Sequence, residues 1–80
     1  MADTREIYPG VTVDPELVHG TPVLTGTRFP VSLALGQLAA GVTFEEMQRE
    51  YGLTAEQFRA ALGYAAQLVA SESVSAVASD

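Results

Sequence analysis

The stretch VTFEEMQREYGLTAEQF, residues 42–58, decides the fold. Thr43 stands three positions before Glu46, the spacing of a capping box. In that device the threonine hydroxyl accepts from the third helical amide, and the acidic side chain reaches back to the cap amide. Val42 before the cap and Met47 beyond it supply a hydrophobic staple. Thr54 and Gln57, framed by Leu53 and Phe58, repeat the whole arrangement. One cap is typically worth about 1 kcal/mol, a useful amount in a small domain. The spacing therefore predicts a helix over 44–51, stopped by Gly52, and another over 55–70. The first turns Phe44, Met47 and Tyr51 inward. The second carries an apolar stripe of Phe58, Ala61, Leu62, Ala65, Leu68 and Val69. That stripe is longer than a two-helix cover needs, so its C-terminal half is expected to meet another subunit.

A short helix, a glycine turn and a second helix make the helix-turn-helix plan. Met47, Gly52, Leu53 and Phe58 fall where that plan wants an inner apolar residue, a turn glycine and two anchors. Gln48 stands where a small residue is usual. Base reading relies on Arg or Lys at guanine and on Asn or Gln at adenine. The candidates here are Gln57, Arg59 and Arg49, set among Glu45, Glu46 and Glu50.

Upstream, Leu35, Leu38, Ala39 and Val42 recur at helical spacing, with Ser32 as the expected N-cap and Gly41 as the stop. TPVL (21–24) and RFPV (28–31) flank Thr25-Gly26-Thr27, a turn that predicts a short, irregular hairpin. Pro22 and Pro30 are unsuited to a central strand. VTV (11–13) reads as a short strand broken by Asp14-Pro15. The expected fold is thus mainly α: a short N-terminal β-hairpin followed by three helices. Residues 1–10 are expected to be a flexible lead-in, 11–70 one domain, and 71–80 (SESVSAVASD) a flexible tail.

The chain has 80 residues and no cysteine, which excludes a disulfide framework and a cysteine-based zinc site. A core this small gains from oligomerisation, and a homodimer is expected. Ten acidic residues oppose four arginines, for a net charge of −6. DNA affinity rests largely on cations that replace counterions on phosphate. An acidic chain begins with the wrong field for that, so DNA is expected only in a complex. His19 is the single histidine. With no nucleophile motif, metal box or phosphate-cradling loop, no enzyme, metal or cofactor is expected. The N-terminus has no basic start followed by an apolar run, so a cytoplasmic protein is expected.

Arg28 is the first candidate for partner binding. It either reaches acidic groups of a partner or latches the hairpin by holding Asp14, Glu16 or loop carbonyls. Tyr64, at the edge of the stripe, suits either an interface or the rim of the core. Leu68 and Val69 complete the candidate contact set.

From Val11 to Ala66, about two thirds of the chain, the sequence resembles the bacterial family known as domain of unknown function 433. The resemblance rests on Asp14-Pro15, Gly20-Thr21-Pro22-Val23, Gly26-Thr27-Arg28, Gly41, Thr54 and Ala61-Leu62-Gly63-Tyr64-Ala65. It implies a homeodomain-like helical fold preceded by a β-hairpin. It also implies an antitoxin role, as a VapB-type partner of a PIN-like ribonuclease. Three function classes follow: a toxin-binding module, a DNA-binding regulator, and an accessory subunit that binds no nucleic acid.

Overall fold

The computed structural model describes residues 4–78, and the side chains of residues 4–72. Three strands come first: β1 (Arg5–Tyr8), β2 (Val11–Val13) and β3 (Val23–Leu24). Three helices follow: α1 (Val31–Ala39), α2 (Phe44–Tyr51) and α3 (Ala55–Ala78). A single 3-10 turn, Val18–Gly20, lies between β2 and β3. The chain is mainly helical, as its capping signals predict.

The sheet is antiparallel in the order β1-β2-β3, so it has one more strand than the expected hairpin. Arg5–Tyr8, read as part of a flexible lead-in, pairs with β2 in the register Arg5↔Val13, Glu6↔Thr12, Tyr8↔Val11. Pro9-Gly10 makes the turn. Proline presets one central position, and Gly10 takes φ +89°, which a side chain would resist. The Gly10 amide donates to the Glu6 carboxylate at 3.0 Å. Residues 1–3 of the expected lead-in, and 79–80 of the expected tail, lie outside the described residues.

The expected irregular hairpin around Thr25-Gly26-Thr27 is present in outline. Val23 bridges Pro30, the Leu24 amide donates to the Phe29 carbonyl at 3.0 Å, and Thr27 N–H donates to Leu24 O at 2.9 Å. Pro30 also corrects the start of α1, which caps on Pro30 and not on Ser32. The reason is local. The Val31 amide is already satisfied by the Pro22 carbonyl, and Pro30 O accepts from both Leu33 and Ala34. The helix begins two residues earlier and needs no side-chain cap.

Both capping boxes form. Glu46 N–H donates to the Thr43 hydroxyl at 3.0 Å, and Thr43 N–H donates to the Glu46 carboxylate at 2.8 Å. The Thr54–Gln57 pair repeats this at 3.1 and 2.8 Å. α2 ends on Gly52 in the left-handed region, φ +71°. α3 runs past its expected end at Ala70 to Ala78, because the serine-rich stretch has no glycine or proline to stop it.

The core is one cluster of Val11, Leu24, Val31, Ala34, Met47, Leu53, Phe58 and Ala61. Phe44 meets Phe58 edge-on at 4.8 Å between centroids. Tyr51, expected to face inward, is exposed and stacks edge-on against Phe29 at 5.0 Å. The sheet lies against the first half of α3 through small residues. A Cβ added to Gly10 would meet Ala60 Cβ at 2.6 Å, and one added to Gly63 would meet Tyr8 Cζ at 2.9 Å.

Two predictions follow from these contacts. Thr54→Ala costs about 1 kcal/mol and lowers Tm by about 4–8 °C, with no pH dependence from its Gln57 partner. In the first box the Thr43 amide, then its hydroxyl, and more weakly the Arg49 charge, hold the Glu46 carboxyl below the usual carboxylate range. The stability Glu46 adds is therefore full above the ordinary carboxylate pKa and is lost as pH falls through the lowered folded value. An NMR titration of Glu46 reads this midpoint; Thr43→Ala removes only the hydroxyl and returns it part of the way. The second prediction contrasts two helical glycines. Gly36→Ala has open space and raises stability by up to about 1 kcal/mol. Gly63→Ala lowers Tm despite the better helix former, because the Tyr8 ring occupies the space its methyl needs.

Candidate functional site

The end of β2, the Thr25–Arg28 turn and the strand-entry residue Thr4 enclose an open cavity of about 480 Å³. Its lining includes Leu17 and Val23 among four threonines, Asp14 and Arg28. Pairing of β2 with β3 is what brings these together. Thr12 opposes Val23 in the register, and the hydroxyls of Thr12 and Thr25 share a hydrogen bond of 2.6 Å. The Thr27 hydroxyl donates to Leu24 O at 2.7 Å and accepts from Phe29 N–H at 3.0 Å, which fixes the turn from within.

Asp14 is only 8% exposed, and each of its carboxylate oxygens accepts one local hydrogen bond, which leaves acceptor capacity on both. One oxygen accepts from the Thr4 hydroxyl at 3.0 Å, the other from Glu16 N–H at 2.9 Å. Arg28 is exposed on the same cavity and makes no hydrogen bond or ion pair with any described residue. The latch expected between Arg28 and Asp14 or Glu16 is therefore absent among the described residues: Asp14 is held by Thr4 and by the chain it precedes.

The other candidates lie on α3 and α2. Tyr64 is half-buried and packs on the core, with its ring 6.0 Å from that of Tyr8. Leu68 and Val69 are 48% and 58% exposed, beyond the part of α3 that the sheet covers. Gln57 is half-buried and committed to its capping box. Arg59 borders a second, apolar groove of about 260 Å³ walled by Leu38, Phe44, Ala55, Phe58 and Leu62. Arg49 is exposed on α2, close enough to Glu46 to lower its pKa. The three base-reading candidates thus have three different local roles.

Among the described residues no three histidine or acidic side chains gather as a metal site would require. His19 sits exposed in the 3-10 turn at φ 57°, and Val18 precedes it at φ 49°. Reading the sequence missed Thr4 and the Thr12–Thr25 pair. The alternation of VTV did carry a signal for Thr12, since Val11 and Thr12 point to opposite faces.

Comparison with known proteins places this sequence in a family. The chain is 42% identical over 52 residues to "Putative antitoxin VapB45" of Mycobacterium tuberculosis, a match covering 65% of this chain and 22% of that protein. It is also 42% identical over 66 residues to "Uncharacterized protein y4eO" of Sinorhizobium fredii, covering 81% of this chain and 28% of that one. The chain thus spans about a quarter of the length of the curated relatives it matches. No solved structure matches it. The family model described as "Protein of unknown function (DUF433)" matches residues 11–65, from the first residue of β2 into α3 beside Tyr64, and the chain belongs to that family.

Proposed function

We propose that this chain is a non-enzymatic, antitoxin-type module that binds a protein toxin. The observation that carries the reading is its 42% identity to a protein named as an antitoxin. The geometry supports binding over catalysis: an unpaired guanidinium on an open cavity, and exposed Leu68 and Val69 on a helix that outruns its own core. The net charge of −6 supports a basic partner. A ribonuclease of the PIN-like kind, which must attract a polyanion, presents such a surface. The cavity around Arg28 and the distal stripe of α3, with Tyr64 at its edge, are the two contact regions. A homodimer formed through the same distal stripe completes the reading. No helix among the described residues is long and apolar enough to cross a membrane.

A homeodomain-like, DNA-binding use of α2 and α3 is the second reading. It is favoured by the three-residue Gly52–Thr54 connection and by Arg49 and Arg59 exposed on the two helices. Binding to DNA then occurs in the toxin complex, where a basic partner offsets the acidic field.

Co-expression with the adjacent small reading frame, pull-down and a ribonuclease assay test the first reading. The expected result is a complex that suppresses ribonuclease activity. Leu68→Glu with Val69→Glu weakens capture at least tenfold while leaving Tm within about 2 °C, since both residues are solvent-facing. Absence of any complex, or full capture by the double variant, overturns the reading or its contact region respectively. For DNA, operator affinity of the complex falls by about one logarithmic unit per logarithmic unit of salt for each phosphate contacted. Removing Arg59 or Arg49 lowers that slope by about one. A slope that neither change moves removes these residues from the interface.

A further inference from the structure

We propose that the cavity at the Thr25–Arg28 turn is a carboxylate-recognition site, and that it takes an acidic side chain from an extended segment of the protein partner. The proposal rests on the antitoxin-type reading and names the chemistry of one of its contact regions.

The first argument is the state of Arg28. An acidic chain offers a surface arginine many local partners, and Asp14 lines the same cavity. Arg28 nevertheless has no ion pair with a described residue, and the Asp14 oxygens accept instead from the Thr4 hydroxyl and from Glu16 N–H. A guanidinium left with all its donors free matches a carboxylate two bonds at a time.

The second argument is what surrounds it. The amides of Gly26 and Arg28 have no backbone or side-chain acceptor among the described residues, while those of Thr25, Thr27 and Phe29 between and beside them are all bonded. Thr12 and Thr25 share one hydrogen bond between two hydroxyls, so one hydroxyl proton stays available. Two amides and one hydroxyl proton at this turn therefore remain without a partner among the described residues. Gly26 takes φ +82° with nothing within 4 Å of where a Cβ would stand, so an incoming group can approach its backbone.

The third argument concerns specificity. Asp14, on the same cavity, repels a free dianion but accepts from an N–H. A peptide carries both groups at once: an acidic side chain for Arg28 and a backbone amide for Asp14. Leu17 and Val23 give its methylenes an apolar wall. The volume of about 480 Å³ holds one or two residues of such a segment, within the usual range for small-ligand sites. Inorganic phosphate satisfies the guanidinium, but its greater negative charge is repelled by Asp14.

The test uses the 80-residue chain alone, by amide NMR, with three probes: N-acetyl-aspartate N-methylamide, its asparagine counterpart, and inorganic phosphate. The aspartate probe is expected to shift the Gly26, Thr27 and Arg28 amides saturably, and the asparagine probe to bind at least tenfold more weakly. Arg28→Gln abolishes the aspartate shifts without lowering Tm. Asp14→Asn, which keeps the carbonyl acceptor, preserves binding and relaxes the exclusion of phosphate. Equal response to both amino-acid probes, or a preference for phosphate in the natural chain, overturns the proposal. Toxin capture that Arg28→Gln leaves intact, with no aspartate shifts, removes the site and leaves the antitoxin reading standing. Aspartate shifts in a chain that captures no toxin do the reverse.

Discussion

The close approach of the β1–β2 hairpin to α3 is the constraint on which the rest of the structure depends. At two places the sheet and the helix leave no space for a methyl group: Gly10 against Ala60, and Tyr8 over Gly63. Helix interiors disfavour glycine by about 1 kcal/mol relative to alanine, so Gly63 is tolerated for what stands on it. With the hairpin seated there, β2 can bury Val11 beside Phe58 and Ala61, and β3 can add Leu24 to the same cluster. The Thr25–Arg28 turn grows from the end of β3, and the Thr25 amide donates to the Gly10 carbonyl at 3.0 Å. The position of the cavity is therefore inherited from the hairpin and α3, although none of its lining residues comes from a helix.

That arrangement also divides α3. Its first turns lie under the sheet and behind α1, where Phe58 and Ala61 are buried. Its apolar stripe continues through Leu68 and Val69 with nothing of the described domain to cover it. At 24 residues the helix is about 36 Å long. The Cα radius of gyration is 13.9 Å, against about 12 Å for a compact domain of this length. The excess is the shape of a small body with one projecting rod. Isolated helices are marginal in water, so such a rod gains stability only through contacts that lie outside its own core.

How much of this was legible in the sequence depended on whether the signal was local. The capping boxes are pairs of residues three apart, and both were read with the helix starts they impose. The Gly52 stop and the Thr25-Gly26-Thr27 turn are equally local. β1 was missed because Arg5–Tyr8 has a weak pattern of its own and becomes a strand only by pairing with β2 across Pro9-Gly10. A proline-glycine pair between two β-prone runs was the available signal. The early start of α1 depends on the Pro22 carbonyl, nine residues upstream of the Val31 amide it satisfies. Tyr51 sits at the right helical position to face inward, but the Phe29 ring meets it at the rim. The extension of α3 was hidden by composition: serine-rich stretches look like loops, yet serine does not stop a helix that is already propagating.

The cavity shows the same limit for function. Arg28 stood out by composition, since cations are scarce in this chain, but whether it was latch or contact was a question about Asp14. The sequence left Asp14, Glu16 or loop carbonyls as candidate holds for the Arg28 guanidinium, beside a contact with a partner. The structure gives Asp14 two nearer donors, one from Thr4 across the β1–β2 hairpin and one from the backbone of Glu16. Asp14 thus makes its hydrogen bonds with neutral donors and leaves Arg28 without an ion pair among the described residues. The consequence is electrostatic. At long range the chain presents a net charge of −6 and favours a basic surface; at contact range this turn presents a lone guanidinium and favours an acidic group. The first property sets which bodies approach, and the second sets how one of them is oriented when it arrives. A partner that meets both requirements is basic overall and carries a carboxylate on a segment that can enter the cavity. That is a narrower description than either the charge of the chain or the presence of one arginine supplies alone.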